Sequence, residues 1–325
     1  MNKTAKNMLI GSGVAAAGIA AAGAVSHTLT TYLMKVALDR EMPKVKNIDK
    51  ARIQLSGIED AAVFFETRNR AGEKLKQSDC EAVEITSYDG ERLVGHWRHC
   101  ENAKRIILAM HGWRSCWNKD FGIISDFWHG NQCSVLYAEQ RGQNNSGGEY
   151  MGFGLLERFD CVEWIKWVSE RCGEGLPVYL AGVSMGVTTV LMASGLDLPE
   201  HVHGIIADCG FTSPDEIWKH VTENNLHLSY GLRSAAVNGI CRKKLQVEPA
   251  EYSTVEALKR NQKPVLFVHG TDDHFVPVEM TYENYKACAA PKRLLVVPGA
   301  DHGMSYVVDQ AGYQAAMLEF WNTYD

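Results

Sequence analysis

Residues 177–190 read Pro-Val-Tyr-Leu-Ala-Gly-Val-Ser-Met-Gly-Val-Thr-Thr-Val, and the interpretation of the whole chain starts from them. The stretch opens as a short apolar run typical of a strand, passes through Gly182-Val-Ser184-Met-Gly186, and continues as an apolar segment expected to be helical. A strand, a sharp turn and a helix in this order lift a serine above the edge of a sheet. The two glycines are needed because so tight a turn leaves no room for side chains. The pattern predicts that Ser184 is a nucleophile.

A serine hydroxyl needs a neighbouring base at neutral pH, and the base needs a carboxylate to orient it. His302 follows the last apolar run of the chain and is the best placed of twelve histidines to reach Ser184. The adjacent Asp272 and Asp273 follow the preceding apolar run, and Asp208 ends an earlier one. The order serine, aspartate, histidine along the chain is the one expected for a nucleophile carried on this turn.

A second turn is expected to supply the groups that stabilise negative charge in the transition state. His111-Gly112-Trp113 closes the first apolar run of the parallel series. The backbone N–H of Trp113, together with the N–H of Met185 just after the nucleophile, predicts an oxyanion hole. His111 is interpreted as a brace for this loop rather than as a catalytic base.

Short apolar runs recur at regular intervals through most of the chain. Two runs, 81–86 and 91–98, flank the turn Tyr88-Asp89-Gly90 and predict a hairpin. Six further runs alternate with helical patterns, and their continuous apolar character is typical of strands covered on both faces: 105–110, 134–138, 177–181, 204–208, 264–269 and 293–297. The pattern predicts an α/β protein whose eight-stranded, mostly parallel sheet lies between helical layers.

The gap between Asp208 and Pro264 is too long for a single crossover helix and predicts a small helical lid at about residues 211–260. Its segment 214–227 carries an apolar stripe that includes Trp218. The stripe either packs on the sheet or, with Trp113 and Trp117, walls an apolar pocket for an acyl chain.

The N-terminus differs in kind from the rest. Residues 8–25 carry no charge and follow Lys3 and Lys6, as in a signal peptide or a membrane anchor. A helical pattern that continues from Leu29 to Ala37 favours an uncleaved anchor. We therefore expect residues 1–40 to attach the protein to a membrane, on a side that the flanking lysines leave open, with residues 41–80 as a connector and residues 81–325 as the catalytic domain.

Composition narrows the classes of partner. The formal net charge of −6 is spread along the chain, so a nucleic-acid partner is not expected. Nine cysteines stand singly without a C-x-x-C pair, which argues against a zinc or redox site and favours a reducing compartment. No G-x-G-x-x-G motif follows one of the predicted strands, so the sequence does not indicate a dinucleotide-binding site. We expect a small acyl substrate and neither a metal nor a cofactor.

These motifs give residues 80–325 a resemblance to the α/β-hydrolase superfamily. The resemblance implies that the acid lies four residues after His269 of the His-Gly pair, which selects Asp273 over Asp272. Residues 137–148 resemble the family's D-x-R-G-x-G-x-S loop, with Glu139 in place of the usual Asp and Asn144 in place of a Gly. The N-terminal segment, the lid and the Gly-Phe-Thr-Ser-Pro stretch at 210–214 are similar to those of uncharacterised bacterial membrane-associated members.

The sequence thus predicts an esterase-like serine hydrolase that cleaves a carboxylic ester or thioester through an acyl-enzyme. A peptidase, an amidase or an acyltransferase would use the same three residues. A binding protein without activity on the same scaffold is the alternative from a different class, and it would be expected to lack one of the three.

Overall fold

The computed structural model describes residues 25–42 and 61–325. Within them, eight strands form one sheet in the order β1-β2-β4-β3-β5-β6-β7-β8. The strands are β1 (Glu81–Thr86), β2 (Arg92–Arg98), β3 (Arg105–Met110), β4 (Cys133–Ala138), β5 (Val178–Val183), β6 (Val202–Asp208), β7 (Val265–Gly270) and β8 (Lys292–Val297). Strand β2 pairs antiparallel with both β1 and β4, and all other neighbours are parallel. The predicted eight-stranded, mostly parallel sheet is confirmed.

Helices cover both faces of this sheet. In chain order they are α1 (residues 25–38), α2 (Ala61–Lys76), α3 (Trp117–Gly130), α4 (Glu157–Cys172), α5 (Met185–Ala193), α6 (Pro214–His220), α7 (Ser234–Lys244), α8 (Thr254–Arg260), α9 (Val278–Ala287), α10 (Ser305–Val308) and α11 (Gln310–Tyr324). The C-terminal pattern predicted one helix, but Asp309 interrupts it with φ −131° and ψ 70° and caps α11 through Gly312 N–H.

Alternate residues of the strands β3 to β7 belong to different apolar clusters, as the pleat of a strand requires. In β3, Ile106 and Leu108 pack with α4 and α5, whereas Ile107 and Ala109 pack with α3 and α11. The central strands β3 and β4 are buried along their whole length. This double coverage explains why they are continuous apolar runs in the sequence.

Three α-helices, α6 to α8, and a π-helical turn at Val221–Asn225 lie between β6 and β7, where the lid was predicted. Ser213 caps the N-terminus of α6 by accepting a hydrogen bond from the Glu216 N–H. Ile217 and Trp218 of α6 are buried in a third apolar cluster at the carboxyl edge of the sheet. The same cluster contains Met34 and Leu38 of α1, so this edge is covered by both the lid and the N-terminal helix.

The prediction of a membrane anchor is corrected by the structure. Residues 1–24 of the expected anchor lie outside the described residues, as do residues 43–60 of the connector. Over residues 25–42 and 61–325, no helix combines the length and the apolarity needed to cross a bilayer. The pattern that favoured an uncleaved anchor, from Leu29 to Ala37, belongs to α1, whose Met34 and Leu38 pack against protein. An apolar helical position can face protein as well as lipid. In α1 the positions that are buried against protein are Met34 and Leu38, whereas Tyr32 within the predicted pattern is 40% exposed.

Candidate active site

Ser184 lies at the turn between β5 and α5, and its backbone has φ 55° and ψ −118°. This left-handed region is costly for a residue with a side chain and is found where the surroundings enforce it. The two flanking glycines allow the turn. A Cβ on Gly182 would lie 2.4 Å from the carbonyl carbon of Gly186, and a Cβ on Gly186 would lie 1.9 Å from the carbonyl oxygen of Met110. The Ser184 N–H donates to the carbonyl oxygen of Asp208 at 3.0 Å, which fixes the turn against β6.

Three predicted side chains meet at this edge of the sheet. The Oγ of Ser184 lies 2.9 Å from Nε2 of His302, and Nδ1 of His302 lies 2.7 Å from Oδ2 of Asp273. A carboxylate accepts hydrogen bonds, so His302 carries its proton on Nδ1, and Nε2 is left to accept the Ser184 hydroxyl proton. The arrangement is that of a nucleophile, a base and an orienting acid.

Asp273 is held by more than His302. Its Oδ1 accepts the backbone N–H groups of Phe275 at 2.9 Å and Val276 at 2.8 Å. Its Oδ2 also lies 3.0 Å from Nε2 of His269, whose Nδ1 lies 2.7 Å from the hydroxyl of Thr281. The carboxylate therefore faces four N–H donors, two on each oxygen.

His269 is a site residue that the sequence interpretation missed as a contact. It was used only to count four residues forward to Asp273, yet it is the next-to-last residue of β7 and is fully buried against that carboxylate. A histidine at a strand end with an acid four residues later was the available signal.

These contacts set the charges of the site. Burial raises the pKa of Asp273, but the His302 charge and the hydrogen bonds from His269 and His302 outweigh it and hold that pKa well below the usual range. Burial lowers the pKa of His302, but the charge and hydrogen bond of Asp273, together with those of Cys209, outweigh it and raise that pKa well above 6.5. Asp273 is thus ionised and favours the imidazolium that a general base becomes.

The neighbouring acids take other partners. Asp272 is exposed, and its Oδ1 accepts the hydroxyl of Thr271 at 2.7 Å. The carboxylate of Asp208 is buried and accepts the hydroxyl of Ser305 at 3.1 Å, and burial raises its pKa to about 6. Of the three candidates, Asp273 is the one that the structure places on His302.

The loop after β3 lies beside Ser184. A Cβ on Gly112 would lie 3.4 Å from Cβ of Ser184. Nε2 of His111 accepts the Gln140 N–H at 3.1 Å, so its Nδ1 carries the proton and donates to the Gly112 carbonyl at 2.8 Å. Because C=O and N–H point in opposite directions across a planar peptide, this bond also fixes the direction of the Trp113 N–H. His111 is fully buried, which lowers its pKa, and it braces the loop.

Met185 is the first residue of α5, so its N–H is among those without an intrahelical acceptor. The Gly112 N–H, by contrast, donates to Oδ2 of Asp120 at 2.7 Å. The other oxygen of Asp120 accepts Ser115 and pairs with Arg68 of α2. The connector thus reaches the same loop, a contact that the sequence did not indicate.

The loop at 137–148 accommodates its two departures from the superfamily pattern. Asn144 has φ 52°, the left-handed conformation for which glycine is usual and asparagine is the next best residue. Glu139 is buried and accepts the Asn145 N–H at 2.6 Å, while His96 lies 2.8 Å from its other oxygen. The Glu139 carboxylate, which is one methylene longer than the usual Asp, therefore binds the backbone of its own loop.

The three tryptophans predicted for the pocket do not lie together. Trp113 stacks on Phe275 with ring centroids 6.5 Å apart and lies 6.2 Å from Phe153, which meets Trp218 edge-on at 5.1 Å. Trp117 belongs to a different cluster, where it stacks on His96 at 4.0 Å. It faces the sheet, together with the members of α3 at the same helical spacing, Phe121, Ile124 and Trp128.

A model of the prolyl oligopeptidase family matches residues 125–324, more than half of the chain. The chain belongs to the prolyl oligopeptidase family. The matched residues include Ser184, Asp273 and His302 and begin after the loop of Trp113. Membership, with the fold described above, makes the chain a serine hydrolase of the α/β-hydrolase superfamily.

Two uncharacterised bacterial proteins are similar in sequence over more than half of this chain. The uncharacterised protein YqkD of Bacillus subtilis is 28% identical over 191 residues, which are 58% of this chain and 61% of YqkD, so the match spans less than two thirds of that relative. The uncharacterised protein YfhR of Escherichia coli is 26% identical over 251 residues, 74% of this chain and 80% of YfhR.

Among solved structures, an esterase of Pyrococcus furiosus matches with a TM-score of 0.63 at 21% identity, over 77% of this chain and 93% of that one. An acylaminoacyl peptidase of Pyrococcus horikoshii matches with a TM-score of 0.57 at 14% identity, over 77% of this chain and 43% of that one. At these identities the likeness concerns the fold. It is shared by an esterase and a peptidase, so it does not distinguish their substrates.

Proposed function

We propose that the protein hydrolyses a small carboxylic ester or thioester through a covalent acyl-enzyme. The observation that carries the proposal is the continuous hydrogen-bond chain from Ser184 Oγ through His302 to Asp273, with distances of 2.9 and 2.7 Å. All three members are in place, unlike in a binding protein that has lost catalysis. The proposed acyl acceptor in the second step is water.

In the proposed mechanism, Ser184 Oγ attacks the substrate carbonyl while Nε2 of His302 takes the hydroxyl proton. The oxyanion that forms is bound by the N–H groups of Trp113 and Met185. His302 returns the proton to the departing alcohol or thiol. Water then attacks the acyl-enzyme, again deprotonated by His302, and releases the acid and free Ser184. Asp273 stabilises the imidazolium in both halves.

The surroundings of Ser184 favour a small, apolar acyl group. Ser184 is 6% exposed, whereas the His302 side chain is 25% exposed, so access is narrow and lies on the side of the base. Aromatic rings continue away from His302: Phe275 meets it edge-on at 5.2 Å, and Trp113, Phe153 and Trp218 follow in contact. Such a wall binds a hydrocarbon chain by removing it from water.

A peptidase is the second candidate, and membership of the prolyl oligopeptidase family favours it. A single panel separates the two. We expect p-nitrophenyl butyrate to be hydrolysed with a kcat/KM at least a hundredfold above that of N-acyl aminoacyl p-nitroanilides, because the site offers an apolar wall for the acyl group. The same panel with Ser184→Ala corrects for background. A preference for the anilides would replace the ester proposal by the peptidase.

The aromatic wall predicts a dependence on acyl length. Each methylene removed from water contributes about 0.8 kcal/mol, roughly a factor of four in kcat/KM when the contact is kept in the transition state. We expect kcat/KM for p-nitrophenyl esters to rise from acetate to at least butyrate. Trp218→Ala should flatten the rise, read as the butyrate-to-acetate ratio, which does not depend on the folded fraction.

Trp167→Ala is the matched control, because Trp167 packs in the cluster of α4 on the sheet and not at the site. It should leave the butyrate-to-acetate ratio unchanged. A wild-type profile that is flat or falls from acetate onward would contradict the acyl wall.

A further inference from the structure

We infer that helix α1 is part of the catalytic apparatus: its C-terminal end holds the loop that carries the Trp113 N–H, and Arg114 is the positioning residue that joins them. The inference rests on the proposed function, since it assigns a task to the proposed oxyanion loop. It gives α1 a role in turnover in addition to its packing.

The carbonyl groups at the end of α1 are where the contact is made. The last four carbonyls of a helix have no intrahelical donor and need partners from elsewhere. Here each one has a partner. Lys35 O accepts the Asp39 N–H at 3.0 Å, and Leu38 O accepts the Met151 N–H at 2.8 Å. The two between them, of Val36 and Ala37, are bound by the oxyanion loop.

Two consecutive residues of that loop supply these donors. The indole N–H of Trp113 donates to the carbonyl of Ala37 at 2.8 Å. The guanidinium of Arg114 donates to Val36 O through Nε at 2.9 Å and through Nη2 at 2.8 Å, and Nη2 also lies 2.6 Å from Asp39 O. A cation at the C-terminal end of a helix is further stabilised by the partial negative charge there.

The backbone conformation of Arg114 explains why the loop needs these contacts with α1. Its φ is 49°, in the left-handed region that a residue with a side chain rarely adopts. The conformation persists only where surrounding contacts enforce it. With His111 holding the Gly112 carbonyl on one side of Trp113, and Arg114 anchored to α1 on the other, the Trp113 peptide is fixed from both directions.

The rest of α1 keeps this end in place. Met34 is 4% exposed and Leu38 is fully buried, in one cluster with Met185 of the nucleophile turn. Beyond the helix, Asp39 pairs with Lys244 of the lid helix α7. Lys244 therefore ties α1 to the lid without touching the oxyanion loop, and it provides a matched comparison.

The test uses the full-length chain and a fluorophosphonate, whose phosphoryl oxygen occupies the oxyanion position when Ser184 is labelled. We expect Arg114→Ala to lower the second-order labelling rate at least tenfold, and kcat for p-nitrophenyl butyrate to fall in parallel while KM changes less than twofold. Such a split is expected when an interaction made only in the transition state is lost. Lys244→Ala should change both rates less than twofold, at a comparable loss of thermal midpoint.

Arg114→Lys keeps the charge but not the fork of donors, and its labelling rate should fall between those of the wild type and Arg114→Ala. It also supplies the comparison if the Ala variant does not fold. Equal effects of Arg114→Ala and Lys244→Ala, or wild-type labelling by a folded Arg114 variant, would overturn the inference. If wild-type Ser184 is not labelled at all, the proposed function fails instead, so the two failures are distinguishable.

Discussion

Ser184→Ala should abolish covalent labelling by a fluorophosphonate and lower kcat for the best ester by on the order of 10⁵- to 10⁶-fold. The loss is large because His302 and Asp273 act only through the Ser184 oxygen, from which Nε2 of His302 lies 2.9 Å. Alanine has the same backbone restrictions as serine in the left-handed turn, so the fold should be retained. Intact mass after labelling, with steady-state rates, measures both effects.

Ser194→Ala is the matched control for that substitution. Ser194 is also buried and directly follows the same helix, but its hydroxyl donates to the carbonyl of Leu191 in that helix, at 2.7 Å. The Ser194→Ala variant should be labelled by one phosphonate per chain, and it should hydrolyse the ester at the wild-type rate. Labelling of Ser184→Ala at the wild-type rate, or turnover within tenfold of wild type, would remove Ser184 from the mechanism.

The strands were predictable because burial on both faces leaves a simple trace in a sequence. The predicted run 105–110 coincides with β3 (Arg105–Met110), and the other runs differ from their strands by at most two residues at either end. A strand covered by helices has no polar face, so its length can be read from the apolar run alone. The order of the strands could not be read in this way, because it depends on which crossovers pack on which face.

The meeting of Ser184, His302 and Asp273 was also predictable. Each follows a parallel strand, and the carboxyl ends of parallel strands share one edge of the sheet. The choice between Asp272 and Asp273 needed the family resemblance. Burial supplies the physical reason afterwards, since Asp273 turns into the protein and Asp272 is exposed to solvent.

The errors concern contacts that an apolar pattern cannot specify. The helical stripe of α1 was assigned to a membrane, whereas Leu38 and Met34 bind the protein's own lid cluster. Trp117 was predicted to wall the acyl pocket together with Trp113. Its spacing to Phe121 indicated the sheet-facing side of α3, which is where it lies. For Trp117 the pattern showed a buried face without showing its partner. In α1 the buried positions are Met34 and Leu38, whereas Tyr32 of the predicted stripe is exposed.

Asp273→Asn should lower kcat for the best ester by about 10⁴-fold. An Asn side chain has one oxygen and one NH₂ group, but four N–H donors face the two oxygens of Asp273, two on each. Whichever way the amide is turned, its NH₂ group opposes two donors. If the oxygen stays with the backbone N–H groups of Phe275 and Val276, His302 is left against an NH₂ group. The imidazole then places its proton on Nε2, where it cannot accept the Ser184 hydroxyl proton.

The same substitution should change the pH dependence of what activity remains. A base must be unprotonated to act, so a pKa well above 6.5 for His302 places the acid limb of kcat/KM above that pH in the wild type. Asp273 is the largest cause of this rise in the pKa of His302, so Asp273→Asn should move the limb to lower pH. Asp272→Asn is the matched control one residue away. The Asp272 side chain is exposed, and the contact that the structure gives it is the hydroxyl of Thr271, so kcat should fall less than threefold and the limb should stay in place. Two results would contradict the assignment of Asp273: a large loss of kcat in Asp272→Asn, or an acid limb of Asp273→Asn at the wild-type pH. A different carboxylate would then orient His302, and the buried Asp208 would be the next candidate.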